Sequence, residues 1–172
     1  MRASDSERDP QAWNAYLAEG NARQPRKRVG ADVLIRDEHG HVLLVDPAYK
    51  PDWDLPGGMA EANEAPASAA HRELKEELGL DLEIGRLLVV DWVPPHGPWD
   101  DSLMFIFDGG VMKHRHLAHL KVVDPELASV RLVDPAEMQE LLRPYVWRRV
   151  RAALHALSNA LAVYCDDGYP LT

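Results

Sequence analysis

Cysteine is almost missing from the 172-residue chain. Cys165 stands alone, so an intrachain disulfide and a thiolate metal cluster are both excluded, as suits a reducing cytoplasm. Long apolar runs are missing too. No stretch approaches the ~18 residues a membrane span requires, and the charged segment Met1 to Pro10 lacks the apolar region of a signal peptide. A soluble, cytoplasmic protein that touches no membrane is expected. Positive charge is in deficit, with 19 Lys and Arg against 28 Asp and Glu and a net charge of −9. Such a chain repels phosphates and nucleic acid as a whole, so a polyanionic substrate needs local help, and a bound cation is the obvious kind. The sequence has no internal repeat and no low-complexity tract.

What remains is a globular mixture, 46% hydrophobic and 27% charged, long enough for one domain with a core of its own. Residues 1–28 read as a polar N-terminal extension, 29–165 as the domain and 166–172 as a tail. Within the extension, Trp13, Tyr16 and Leu17 at helical spacing suggest a short docked helix. The basic run Arg23, Arg26, Lys27, Arg28 has no interleaved aromatics or wider basic stripe, so it reads as a solvated face without nucleic-acid binding.

Alternation at Val29, Ala31, Val33 and Ile35, the turn Asp37-Glu38-His39-Gly40, and His41 to Asp46 predict a β-hairpin. Further strands are expected at Glu83 to Val93, Leu103 to Asp108, Leu120 to Val123 and Ser129 to Val133. Asp134-Pro135-Ala136-Glu137 reads as a cap opening a short helix through Leu142. A longer helix follows from Pro144, with Val146, Val150, Ala153, Leu154, Leu157 and Leu161 on one face. The alternation of strands and helices predicts an α/β fold of α/β/α layers around a mixed sheet.

The firmest element is a helix from Asn63 to Leu78, with Asn63 as cap, Pro66 in its first turn and Gly79 as its terminator. Ala69, Ala70, Leu74 and Leu78 give it a narrow apolar stripe. Glu73, Glu76 and Glu77 stand at i, i+3 and i+4, so their carboxylates crowd one face within a turn. Like charges at that spacing cost a few tenths of a kcal/mol per pair, and the crowding is useful only if a cation sits there. Hard oxygen donors on a rigid element suit Mg²⁺, with Mn²⁺ as a substitute.

Gly58, Glu64, and the run Arg72-Glu73-Leu74-Lys75-Glu76-Glu77-Leu78-Gly79-Leu80 keep a fixed spacing, and the stretch from Gly58 to Leu80 resembles the full Nudix box. The resemblance implies a Nudix-like α/β/α sandwich and a hydrolase in which a metal-activated water attacks a pyrophosphate. It implies that Glu73, Glu76 and Glu77 hold magnesium, with the carbonyl of Gly58 contributing, and that Arg72 and Glu64 are structural. It offers either a box glutamate or a later acid, here Glu126, as general base. One departure is Asn63, where many members have glycine; asparagine tolerates left-handed backbone.

The loop Trp92-Val93-Pro94-Pro95-His96-Gly97-Pro98-Trp99 lies where the family places substrate contacts. Trp92 and Trp99 could stack on a base or simply anchor the loop, and Pro95 falls near a proline typical of ADP-ribose hydrolases. The expected substrate is a small nucleoside diphosphate linked to another moiety, of ADP-ribose or nucleotide-sugar type. The alternatives are a nucleoside triphosphate pyrophosphatase and a non-catalytic nucleotide-binding module. His114, His116 and His119 read as a solvated loop or strand edge; alternate positions on a strand could otherwise bind phosphate or metal. The N-terminal segment and the C-terminal helix are the candidate surfaces of a homodimer.

Overall fold

The computed structural model describes residues 9–171; the charged segment before Asp9 lies outside them. The elements in chain order are α1 (Pro10–Arg23), β1 (Arg28–Asp37), β2 (Val42–Pro47), β3 (Gly57–Met59), α2 (Pro66–Leu78), β4 (Leu87–Val93), β5 (Ser102–Met112), α3 (His114–Leu117), β6 (Leu127–Val133), α4 (Met138–Leu141), α5 (Pro144–Asn159), β7 (Val163–Asp166) and β8 (Tyr169–Pro170).

The strands make one sheet in the order β6-β2-β1-β5-β4-β7-β8, with β3 added against β1. It is mixed: β1 with β5 and β4 with β7 run parallel, and the other pairs are antiparallel. Both faces are covered. Ala31, Val33 and Ile35 of β1 pack with Ala69, Ala70, Leu74 and Leu78 of α2. Leu34 packs on the other side with Val146, Val150 and Ala153 of α5. This produces the expected three layers, and it explains why β1 is apolar at consecutive positions: a strand covered on both faces has no solvent side. Each leucine of α2 buried this way contributes about 1.5–3 kcal/mol.

Several expectations need correction. The helix carrying the box does not begin at Asn63. Asn63 has φ 63° in the preceding turn, Ala65 is the N-cap without a side-chain bond, and Pro66 begins the helix. The left-handed geometry is therefore what Asn63 supplies. Helix α1 exists but does not dock: it has no buried residue, Trp13 and Tyr16 stack on each other at 5.6 Å, and Leu17 is 48% exposed. Residues 81–86 are not strand, and β4 begins at Leu87 after Gly85 N–H reaches the carbonyl of Asp108.

Leu120 to Val123 is not a strand either. Val123 N–H donates to the carbonyl of Glu77 at 2.8 Å, so this stretch closes the end of α2 instead of pairing with a strand. Asp134 makes a turn, its carboxylate accepting from Ala136 N–H at 2.8 Å, and α4 starts only at Met138. Leu161 lies beyond the end of α5 and is 69% exposed. His114 and His116 sit on the single helical turn α3, so strand alternation does not apply to them. At the C-terminus β7 and β8 form a hairpin that extends the sheet across residue 165, and Cys165 is fully buried in it. Among the described residues no helix is long and apolar enough to cross a membrane.

Candidate active site

The site arises where the sheet forks. One edge of β1 is paired along its length by β5; the other is shared, with β3 taking Gly30 to Asp32 and β2 meeting it at Arg36. The segment between β2 and β3 fills the fork, since Val33 N–H donates to Pro56 O at 2.9 Å and Val45 exchanges two backbone bonds with Asp54. Gly57 has φ 143°, and a Cβ there would lie 2.3 Å from the carbonyl oxygen of Ala31. Only glycine lets the backbone pass that close.

Helix α2 lies over this fork and presents Glu73 and Glu77. Glu77 Oε2 accepts from Gly57 N–H at 3.0 Å. Glu73 packs directly on Gly58, where a Cβ would stand 2.6 Å from its carboxylate. Arg72 organises the rest: Nε and Nη2 bind both oxygens of Glu64 at 2.9 and 3.0 Å, Nη1 reaches Glu73 at 2.8 Å and Glu76 at 3.0 Å, and Nη2 also donates to the carbonyl of Met59. Glu64 also accepts from Glu61 N–H at 2.8 Å. That arginine holds its carboxyl down at about 2.

The electrostatics are those of crowded acids. Burial pushes Glu77 up to about 8, with Glu73, Asp32 and Asp124 adding repulsion against the one N–H of Gly57. Burial and Asp54 raise Asp32 to about 7, although Arg149 and Lys50 oppose the shift. Such a cluster favours either protons or a cation. Its donors are all oxygen, with the Gly58 backbone close by, and that set fits a hard ion such as Mg²⁺.

A cleft of about 470 Å³ opens over these groups. Its lining includes six carboxylates, from Asp32, Asp54, Glu73, Glu77, Asp124 and Glu126, against four cations, Arg28, Lys50, Arg143 and Arg149. Most of the cations are already engaged. Lys50 pairs with Asp54, Arg143 with Asp52, and Arg149 Nε with the buried Asp91 at 2.7 Å. Arg28 stacks on Trp99, 4.6 Å from the ring centre. Tyr49, Tyr145 and Trp99 supply aromatic surface.

Of the residues singled out in the sequence, Gly58, Glu73, Glu77, Glu126 and Trp99 line this cleft. Glu76 does not; its side chain is 56% exposed and drawn aside by Arg72. Trp92 stays outside because its indole N–H is bonded to Asp101 at 2.8 Å, and Pro95 is exposed on the loop. Sequence reasoning passed over Asp32, Lys50, Arg143 and Arg149. Asp32 carried a signal, being a charge inside an apolar strand. Arg149 did as well, as a cation on the buried side of α5.

Comparison with known proteins agrees with this geometry. A family model described as the NUDIX domain matches residues 26–155. The chain is 41% identical over 142 residues to diphosphoinositol polyphosphate phosphohydrolase 2 of Rattus norvegicus, covering 82% of this chain and 68% of that protein. It is 44% identical over 139 residues to a Bacillus subtilis (strain 168) protein named "Putative 8-oxo-dGTP diphosphatase", covering 81% and 88%. Among solved structures, a MutT protein from Methanosarcina mazei Go1 superposes with a TM-score of 0.63 at 22% identity, over 80% of this chain and 99% of that one.

Proposed function

Because the chain belongs to the Nudix hydrolase family, whose members act on pyrophosphate bonds, we propose that it cleaves a nucleoside diphosphate joined to a second moiety, of ADP-ribose or nucleotide-sugar type, with Mg²⁺. The observation that carries this reading is the content of one cleft: half-buried carboxylates beside Gly58, with the Arg28–Trp99 stack on the lining.

Glu73, Glu77 and the carbonyl of Gly58 would hold the ion, and Glu76 would join them only if Arg72 released it. When bound, Mg²⁺ neutralises phosphoryl charge and makes water a better nucleophile. The chain's own residues do the rest. Trp99 and Tyr49 offer faces for a base, and Lys50 and Arg143 would give the diphosphate charge-assisted bonds by exchanging Asp54 and Asp52 for it. Glu126, on the cleft wall, would take the proton of the attacking water. The net acidity of the lining argues for a substrate of modest charge; a polyphosphorylated inositol, the substrate named for the Rattus relative, would meet too few free cations. A nucleoside triphosphate is the second reading, supported by the Bacillus relative, which the chain covers to 88%.

The test is product analysis with Mg²⁺ on ADP-ribose, nucleotide sugars, nucleoside triphosphates and a diphosphoinositol phosphate. Nucleoside monophosphate released from the first two, with kcat/KM at least tenfold above the others, supports the proposal. Preference for a triphosphate or the inositol compound overturns the substrate assignment, and equal activity in Glu77→Gln overturns the metal assignment.

A further inference from the structure

A second cluster of donors lies at the far end of β1. Asp37 is five residues beyond Asp32, about 16 Å along the strand, and it does not line the cleft. Its side chain is fully buried. Oδ1 accepts from the N–H groups of His39 and His41, both at 2.9 Å. On Oδ2 two imidazole nitrogens converge, Nδ1 of His41 at 2.8 Å and Nδ1 of His114 at 2.6 Å. The hairpin turn supplies the first histidine, and the start of α3 supplies the second from 77 residues away.

A hydrogen-bonded clamp would account for Asp37, His41 and His114 alone. It does not account for His39. The three rings of His39, His41 and His114 stand 5.8–6.0 Å apart, centre to centre, with interplanar angles of 62–63° for every pair. That is a near three-fold propeller of imidazoles, and no side-chain bond of His39 to Asp37 holds it in place. Three imidazoles around a tetrahedral Zn²⁺, with Zn–N of about 2.0–2.1 Å, hold their centres about 5 Å apart. The propeller is wider than this by less than the reach of exposed side chains.

We propose that Asp37, His41 and His114 form a binding site for a Zn²⁺-class divalent cation, separate from the magnesium site of the cleft, with His39, whose ring nitrogens lie outside the present cluster, as a ligand recruited on binding. One carboxylate with two imidazoles and an open position is a donor set that zinc accepts, whereas imidazole nitrogen is a poor ligand for Mg²⁺. One ligand atom from each of Asp37, His41 and His114 already lies within 4.8 Å of the other two. For the ion to enter, each imidazole must free its Nδ1 of the proton, keeping one on Nε2, and the N···O separations open by roughly 0.5–0.8 Å to the edge of a tetrahedron with such bonds. The histidine side chains, 34% and 45% exposed, have room to yield. The buried carboxylate stays fixed by the backbone of the turn.

The experiment uses the full chain, stripped with chelator and titrated with Zn²⁺ in a calorimeter at saturating Mg²⁺. One equivalent should bind, unchanged in Glu77→Gln and weakened at least tenfold in His41→Gln and His114→Gln. Zinc X-ray absorption on the unaltered chain needs no histidine variant and should count two or three imidazoles at about 2.0–2.1 Å. Absence of binding, binding lost in Glu77→Gln, an all-oxygen shell, or equal affinity in the histidine variants would each overturn the proposal and leave a hydrogen-bonded clamp. None of these outcomes bears on pyrophosphate hydrolysis.

Discussion

A methyl group on Gly58 would stand 2.6 Å from the carboxylate of Glu73. The obstacle is the end of a side chain rather than backbone, so Gly58→Ala should fold and displace Glu73. A misplacement of about 1 Å in a catalytic group costs on the order of a hundredfold. The expected outcome is a fall in kcat of that size with a melting temperature within a few degrees of the parent, checked by steady-state kinetics beside a thermal melt. A large loss of stability with kcat intact in the folded fraction would count against the packing argument.

Glu77 is a half-buried carboxylate among other carboxylates, held by one backbone N–H. Replacing it with glutamine removes like-charge repulsion and, on the proposed function, also removes a ligand of the ion. Activity should drop about 10²–10³-fold, the size of several kcal/mol of lost transition-state stabilisation. The chelated variant should melt no lower than the chelated parent, and Mg²⁺ should no longer raise its melting temperature. Calorimetric scans with and without Mg²⁺ decide the point.

The pair Glu64–Arg72 sets an acid limit. The folded value of Glu64, about 2, lies below its ordinary 4.5. The stability it contributes is therefore complete above 4.5 and is lost as pH falls towards 2. Glu64→Gln should lower stability at neutral pH and flatten the dependence in that window, measured by urea unfolding at a series of pH values. An unchanged slope between pH 5 and 3 would assign acid lability to other carboxylates.

Arg149 and Asp91 are a buried pair, 3% and 0% exposed. Arg149→Met leaves Asp91 with only the N–H of Gly168, and breaking such a pair from one side costs about 3–5 kcal/mol. Adding Asp91→Asn should recover part of the loss, because the uncompensated charge has gone. Denaturant midpoints of the two single variants and the double variant would show this; simple additivity would mean the groups do not act as a pair.

The layered fold and the helix carrying the box were legible because both rest on local spacing. Apolar stripes on α2 and α5 declare their faces, and three glutamates within one turn are visible in any listing of residues. The errors sit where a distant partner decides. Leu120 to Val123 has strand composition, but the carbonyl of Glu77 takes its backbone. Glu76 has the spacing of its neighbours, but Arg72 draws it outward. Trp92 belongs to the expected loop, but its indole is committed to Asp101. Lys50, Arg143 and Arg149 reach the cleft from a loop and from the opposite helical layer, and no periodicity announces that. His114 meets Asp37 only because β1 and β5 run side by side to their ends.

The lone cysteine makes the C-terminal hairpin observable. Cys165 is fully enclosed where β7 lies beside β4, and burial pushes its thiol up to about 11. A thiol reagent therefore reacts only when that strand lifts away. Where reclosing is faster than labelling, the rate measures the population of the opened form. The protein thus carries a single-site clock for the detachment of its last two strands, readable without any introduced probe.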